Sequence, residues 1–171
     1  MLSAEEIIRL LHLEPLPREG GWYRETYRSA LQLPVDVLAP RYRHARAAGT
    51  AIYYLLTPDT TSALHRLPTD EVFHFYLGDP VEMLQLGPNI PDGGRILTLG
   101  SDIRAGQFVQ TMVLAGVWQG SWLRAGGVFA LMGTTMAPGF DFTDYEAADR
   151  DALSVAFPDF AEQIARLCFG K

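Results

Sequence analysis

The stretch Ser62–Pro80 reads SALHRLPTDEVFHFYLGDP and contains two runs of β-favouring residues that end at a Gly-Asp-Pro turn. It holds His65 and His74, two of the four histidines in the chain, and the acidic pair Asp70 and Glu71. These ionisable groups interrupt apolar strands, where burial is costly unless each group is paired or used. The stretch therefore predicts neighbouring strands and is the best candidate for the functional site.

Short β-type segments continue on both sides of this stretch, separated by Gly, Pro and Asp turns, as is typical of an antiparallel sandwich or barrel. A short helix over residues 3–12 is predicted before them, and two helices, Tyr145–Phe157 and Asp159–Cys168, after them. We expect one domain over residues 1–171, with an irregular segment at 31–49. The predicted strands are Trp22–Arg28, Thr50–Thr57, Thr61–Leu67, Glu71–Leu77, Val81–Leu86, Arg95–Leu99, Phe108–Leu114, Val117–Leu123 and Val128–Met136.

Composition and charge narrow the function classes. The 171 residues are 48% hydrophobic, as in globular proteins, and their net charge of −6 argues against a nucleic-acid partner. For the locally basic run Arg41–Arg46 we favour a solvated loop over an anion-binding patch. The single cysteine, Cys168, excludes an intramolecular disulfide and a cysteine-based metal cluster.

No apolar run approaches the roughly 20 residues of a membrane span, and the first residues are acidic, unlike a signal peptide. We therefore expect a cytoplasmic protein without a membrane partner.

The residues around Glu71 follow a recognisable spacing. His65, Leu67, Glu71 and Gly78 stand in the pattern His-x-Leu, three residues, Glu, six residues, Gly. This pattern resembles the first motif of the cupin superfamily, with Leu67 in place of the second histidine. Further along, Gln119 occupies the place of the third histidine of the second cupin motif, which here carries two extra residues.

Several longer phrases extend the resemblance over nearly the whole chain. They are Glu19–Ser29, Thr50–Leu56, His65–Pro80, Gln110 with Gly116–Gln119, and Ala137–Phe142. Together they are similar to one branch of small bacterial and fungal proteins, the cupin 5 family. The resemblance implies a mainly β fold, a double-stranded β-helix or jelly-roll barrel, commonly paired as a homodimer. It implies no established reaction.

The resemblance also raises the question of a metal. Cupin metal sites combine imidazoles with a carboxylate, a donor set that suits transition metals. Of the usual positions, His65 and Glu71 remain, Leu67 cannot coordinate, and Gln119 is a weak neutral donor. Strand alternation places His74 on the face opposite Glu71, unless a bulge changes its facing. We expect no cofactor; His65, Glu71 and Gln119 would be the ligands of any bound divalent metal.

The metal-free alternative is acid–base chemistry on a small molecule. Resemblance to the metal-free epimerases among the cupins implies an isomerase or epimerase of carbohydrate-like substrates, with His65 as base and Glu71 as the carboxylate that orients it. His74 is a further candidate catalytic residue, functional or structural with equal weight. The candidate acids are Tyr53, Tyr54 and Tyr76. The candidate substrate-binding residues are Arg24, Arg66, Gln110, Trp118 and Gln119.

Two other functions stay open beside this one. The incomplete metal motif also suits a ligand-binding or sensory barrel without catalysis, because a fold alone does not fix function. A metal-dependent cupin enzyme is the second alternative. In each case we expect the partner to be a small molecule.

Overall fold

Two antiparallel sheets pack face to face around a buried apolar core in the computed structural model, which describes residues 2–168. The helices are α1 (Ala4–Leu11), α2 (Arg150–Ala156) and α3 (Ala161–Leu167). The strands are β1 (Glu14–Pro15), β2 (Trp22–Arg28), β3 (Gln32–Leu33), β4 (Arg46–Ala47), β5 (Thr50–Leu56), β6 (Thr61–Arg66), β7 (Glu71–Gly78), β8 (Val81–Leu86), β9 (Gly94–Leu99), β10 (Gln110–Val113), β11 (Trp118–Leu123), β12 (Ala130–Met136) and β13 (Glu146–Ala147).

The strand order interleaves distant parts of the chain. The first sheet runs β1-β2-β5-β12-β7-β10 and the second runs β13-β6-β11-β8-β9, while β3 and β4 form a separate pair. Within the named strands every pairing is antiparallel. This arrangement places β6 and β7, the two strands of the Ser62–Pro80 stretch, in opposite sheets, so that their inward side chains face each other across the interior.

The core follows the alternation of the strands. On β7, Phe73 and Phe75 are buried between the sheets together with Glu71, while His74 lies on the other face. Side chains from both sheets, such as Tyr54 and Met83, complete this central cluster. Burial of a large apolar side chain such as Phe73 stabilises the fold by about 1.5–3 kcal/mol.

The helices cover the outer faces of the sheets. The Ser3 hydroxyl caps α1 by accepting from the Glu6 backbone N–H, and the Glu6 carboxylate accepts from the Ser3 N–H in return. Ile7 of α1 then packs on Leu55 of the first sheet. On the second sheet, α2 and α3 bury Leu153, Ile164 and Leu167 against outward residues such as Leu84 and Leu86.

The sequence-based prediction of a mainly β fold with a short N-terminal helix and C-terminal helices is confirmed. The predicted helix Tyr145–Phe157 is wrong at its start, because Glu146–Ala147 pairs with β6 as strand β13. The helix begins only at Arg150, where the Asp149 side chain accepts the Ala152 N–H at 2.9 Å. The segment 31–49, predicted to be irregular, contains the β3–β4 pair and a 3-10 turn over Val35–Val37.

Candidate functional site

A bulge in β6 shapes the candidate site. His65 pairs with Gln119 and Ser62 pairs with Ser121, so Ala63 and Leu64 together stand opposite the single residue Gly120. Residues three apart on a regular strand point to opposite faces, but the extra residue returns both side chains to the same face. Ser62 and His65 consequently both face the interior of the molecule.

Glu19 lies where these two side chains converge. It comes from the loop before β2, and its backbone carbonyl accepts the Ala63 N–H at 2.7 Å. The Ser62 hydroxyl donates to its Oε1 at 2.8 Å, and Nε2 of His65 lies 3.8 Å from its Oε2. The bulged strand therefore holds the Glu19 carboxylate through one hydroxyl and one imidazole.

His65 is fixed on both sides of its ring. It is 1% exposed, and its Nδ1 lies 2.7 Å from the Ala63 carbonyl oxygen. A carbonyl can only accept, so Nδ1 carries a hydrogen and Nε2 is directed at Glu19. The ring also stacks on Tyr145, with centroids 4.9 Å apart.

Glu71 enters the same interior from the opposite sheet. Its carboxylate accepts a hydrogen bond of 2.6 Å from the Gln119 side-chain N–H. Burial raises the pKa of Glu71 above its ordinary value, and the charge of Glu19 raises it further. The charge of His65 and hydrogen bonds from Gln119 and Thr134 oppose this shift. The net effect is a pKa of Glu71 above its ordinary value, with burial as the largest cause.

Tyr54 is a buried neighbour of both carboxyl groups. Its hydroxyl donates to the Gly20 carbonyl oxygen at 3.0 Å. Burial raises the pKa of Tyr54 well above its ordinary value, with further contributions from Glu19 and Glu71. Gly21 makes room for the ring, because a Cβ there would lie 2.8 Å from Tyr54 atoms. Gly21 also has a φ of +73°, in the left-handed region that favours glycine.

Glu19, Tyr54, Glu71 and Thr134 line a cavity of about 410 Å³. Its interior is acidic, with Glu19 and Glu71, Asp141 also lines it, and its mouth carries the Arg28–Glu25 ion pair at 2.7 Å. The apolar and aromatic lining consists of Leu16, Tyr23, Ile52, Tyr54, Leu67, Met136, Phe140 and Phe142. This volume and mixture of apolar surface with few polar groups match a small-molecule site. Among the described residues, those lining the cavity include both carboxyl groups and not His65, which lies behind Glu19.

Four of the residues predicted for the site lie elsewhere, on the outer face of the first sheet. His74 contacts Thr135 Oγ1 at 3.0 Å through Nε2 and Gln110 Nε2 at 3.1 Å through Nδ1. The Arg24 guanidinium lies over the Tyr53 ring, 5.4 Å from its centroid. The alternation that buries Glu71 directs His74 outwards, as the sequence predicted, and the same alternation on β5 separates Tyr53 from the inward Tyr54.

Arg66 and Trp118 are also outside the cavity. Arg66 follows His65 on the strand and so faces the other way, where it forms a bidentate pair with Glu146 at 2.8 and 2.7 Å. Its guanidinium lies 4.5 Å from the Trp118 ring centroid. The structure therefore brings together His65, Glu71, Gln119 and Tyr54 from the predicted set. It places the other seven predicted residues away from them, including Tyr76, which contacts Tyr53 on the outer face.

The donor set does not fit a cupin metal. In residues 2–168 no three His, Cys, Asp or Glu side chains come together in a metal-binding arrangement. Leu67 is buried hydrocarbon at the second histidine place, and Gln119 directs its N–H, which cannot coordinate, at Glu71. Nδ1 of His65 is occupied by the Ala63 carbonyl. We derive no chemical step through a metal.

Sequence reasoning missed Glu19, the most consequential residue of the site. It lies in the phrase Glu19–Ser29, which carried the family resemblance but contains no pattern that directs a carboxylate at His65. Sequence reasoning also missed Thr134, which hydrogen-bonds Glu71, because it lies in a largely apolar strand. Both contacts depend on which strands become neighbours, and local spacing does not encode that.

The two facing sheets, the interior carboxyl groups and the covering helices define a cupin barrel, a double-stranded β-helix. The chain belongs to the family described as Cupin superfamily (DUF985), whose sequence profile matches residues 5–148.

Relatives of known sequence or structure extend this assignment over the full chain. An uncharacterized protein of Saccharomyces cerevisiae is 32% identical over 142 residues, which cover 75% of this chain and 67% of the yeast protein. A hypothetical protein from Leishmania major superimposes with a TM-score of 0.86 and 30% identity, covering 99% of this chain and 100% of that one. Protein SO0799 from Shewanella oneidensis gives 0.84 and 31%, with both chains fully covered. In the described part of this chain, no helix has the length and apolar character needed to cross a bilayer.

Proposed function

We propose that this cupin binds a small, neutral, carbohydrate-like molecule in its barrel cavity and transfers a proton on it as a metal-free isomerase or epimerase. The observation that carries the proposal is the pair of carboxyl groups, Glu19 and Glu71, that line one cavity, together with the burial that raises the pKa of Glu71. Environments that separate the pKa values of two such groups supply an acid and a base at the same pH.

The roles follow from the surroundings of each carboxyl group. Burial and the charge of Glu19 raise the pKa of Glu71, and we assign Glu71 as the acid toward a carbonyl oxygen. Glu19, held by Ser62 and His65, is the base that removes a proton from the neighbouring carbon. Glu19 then gives that proton to the adjacent carbon while Glu71 recovers a proton from the neighbouring hydroxyl, which completes an isomerisation and regenerates both groups. An epimerisation requires the enol to turn its opposite face toward Glu19 before the proton returns.

The acidic interior supports a neutral substrate. Four acidic residues line the cavity, Glu19, Glu25, Glu71 and Asp141. The Arg28 guanidinium at the mouth is paired with Glu25 and donates to the Phe140 carbonyl at 3.2 Å. Hydroxyl groups can donate to these carboxylates, and the aromatic walls suit the apolar faces of a sugar ring. The proposal keeps the expectation of a cytoplasmic homodimer with no nucleic-acid partner.

One observation favours a second candidate, binding without turnover. Two groups expected to transfer protons, His65 and Tyr54, already donate to backbone carbonyls, at Ala63 and Gly20 respectively. A site with its imidazole and phenol engaged in this way also suits a sensory or carrier barrel.

Exchange of substrate protons with solvent separates the two candidates. The wild-type protein is incubated in D₂O with a panel of neutral keto sugars, and deuterium at carbon is measured by mass spectrometry. We expect incorporation into at least one compound, with a loss of about 100-fold or more in Glu71→Gln and Glu19→Gln. Glu162→Gln, which alters an exposed acid of α3, serves as the matched control and should retain the wild-type rate.

The negative outcomes are also informative. A compound that raises the melting temperature without acquiring deuterium would support the binding candidate over the enzyme. Equal exchange in wild type and Glu71→Gln would contradict the assignment of Glu71 as the acid.

A further inference from the structure

A second cavity lies on the other side of Leu67, and we propose that it is a binding site for a phosphoryl group. This basic cleft has a volume of about 680 Å³. Its charged and titratable cationic residues are Arg41, Arg43, His44 and Arg66. Leu67 lines both the cleft and the barrel cavity, so the two sites are adjacent and separate. The proposed proton transfer makes no use of the cleft.

The basic run is held in place by two buried anchors. Tyr42 is 4% exposed, and its hydroxyl contacts Thr69 Oγ1 at 2.7 Å and the Pro68 carbonyl oxygen at 3.2 Å. Arg46 is 3% exposed, and its Nε donates to Asp144 Oδ2 at 2.9 Å. The sequence favoured a solvated loop here, and Arg41, Arg43 and His44 are exposed. Tyr42 and Arg46 fix the segment at both ends.

Arg46 also organises the backbone between the anchors. Its Nη1 donates to the carbonyl oxygens of His44 and Ala45, each at 3.0 Å. These two hydrogen bonds fix the backbone beside Arg43 and His44, whose side chains line the cleft. The cationic side chains are therefore presented from a constrained segment, and ordering them around a ligand costs less conformational entropy than in a free loop.

The charge of the cleft is not balanced by its own acids. Of the two carboxylates lining it, Asp144 is engaged by the buried Arg46, and Glu146 by Arg66. Asp70 accepts the Ala115 N–H at 2.7 Å on the neighbouring wall. Arg41 lies over the Tyr42 ring, 5.2 Å from its centroid.

The guanidinium groups of Arg41 and Arg43 are therefore available to bind a ligand. Within residues 2–168 neither Arg41 nor Arg43 forms an ion pair with an acid. This local excess of positive charge occurs in a protein whose net charge is −6. A phosphoryl dianion matches two free guanidinium groups in charge, and its oxygens match their planar pairs of N–H donors. A single carboxylate carries one negative charge and balances only one of the two guanidinium groups.

The experiment uses the ring resonances of the four histidines as site-specific probes. Uniformly labelled full-length protein is titrated with inorganic phosphate and with phenyl phosphate at fixed pH and ionic strength, and imidazole C–H shifts are recorded. We expect the His44 resonance to move saturably, because His44 lines the cleft, while that of His74 on the outer sheet face stays in place.

Variants test whether the arginines make the site. Arg41→Ala/Arg43→Ala should weaken phosphate binding by at least about tenfold. Arg104→Ala removes the same type of charge from an exposed 3-10 turn outside the cleft and should leave the dissociation constant unchanged. Circular dichroism of the double variant verifies its fold.

Three results would overturn the proposal. The first is a His44 shift that is absent or fails to saturate. The second is an equal loss of affinity in Arg104→Ala, which would indicate general charge attraction. The third is acetate binding as tightly as phosphate, which would assign the cleft to carboxylates.

Discussion

His65 and Glu19 face each other across the β6 bulge, with Nε2 of the imidazole 3.8 Å from Oε2 of the carboxylate. The ring is oriented by the Ala63 carbonyl and stacked on Tyr145, so it acts on Glu19 and not on a ligand in the cavity. This relationship changes the roles expected from sequence. In the proposed mechanism the histidine positions a carboxylate, and Glu19 and Glu71 both line the cavity.

The pH dependence of stability tests the burial of Glu71. Burial and the charge of Glu19 raise its pKa above the ordinary 4.5, so the folded protein holds this proton more tightly than the unfolded chain does. Between the pKa of Glu71 in the unfolded chain and its higher pKa in the folded protein, a rise in pH ionises Glu71 in the unfolded chain first. The free energy of unfolding therefore falls as the pH rises through this range. We predict that Glu71→Gln becomes progressively more stable than wild type above about pH 4.5.

Urea unfolding at a series of pH values measures this difference. Glu162→Gln, which replaces an exposed acid, is the control and should follow the wild-type curve. Parallel curves for wild type and Glu71→Gln would show that Glu71 has an ordinary pKa.

Close packing at the β6 bulge leads us to predict that position 120 requires glycine. A Cβ on Gly120 would lie 2.9 Å from Leu167 Cδ1, 3.0 Å from the Ser62 carbonyl oxygen and 3.2 Å from Leu64 Cα. We expect Gly120→Ala to destabilise the protein by about 1–3 kcal/mol, as other overpacked cores do. Gly87→Ala, whose nearest neighbour would be Val117 Cγ2 at 3.6 Å, should change stability by less than about 1 kcal/mol. Equal effects in thermal unfolding would argue against close packing at the bulge.

The outer face of the first sheet should not contribute to chemistry in the barrel. His74 and Tyr53 lie on the side of their strands away from the cavity, with His74 bound to Thr135 and Gln110. We predict solvent-exchange rates within about twofold of wild type for His74→Ala and Tyr53→Phe, against the loss in Glu71→Gln of two orders of magnitude or more. A loss of similar size in either outer-face variant would move the site to that face.

The donor set predicts weak metal retention. Leu67 and Gln119 stand where two imidazoles would complete a cupin metal site, so wild-type protein purified without a metal-affinity tag should carry less than one equivalent of transition metal. The double variant Leu67→His/Gln119→His restores both imidazoles and should retain more metal in elemental analysis. Stoichiometric, chelator-removable metal in the wild type would refute this prediction.

The sequence was sufficient for the periodic features of the fold. Alternation along β7 correctly placed Glu71 and His74 on opposite faces, and apolar runs located strands such as Val81–Leu86 at their observed bounds. These features depend on neighbouring residues alone, so they can be predicted from one chain.

The remaining features depend on which strands pair. The two-for-one register at Gly120 turns Ser62 inward, and no local pattern signals it. Glu146–Ala147 has the composition of a helix start but becomes a strand because β6 offers it an edge. The association of Glu19 with His65 requires both the bulge and the loop before β2, and for that reason Glu19 was not found from spacing.

The most direct measurement is the titration of the Glu71 side-chain carboxyl by ¹³C NMR in wild type, Glu19→Gln and His65→Asn. Because Glu19 raises and His65 lowers the pKa of Glu71, we predict a midpoint above 4.5 in wild type, a lower midpoint in Glu19→Gln and a higher one in His65→Asn. A Glu71 midpoint near 4.5 that neither substitution moves would contradict the account, because the three side chains would then not share one buried site.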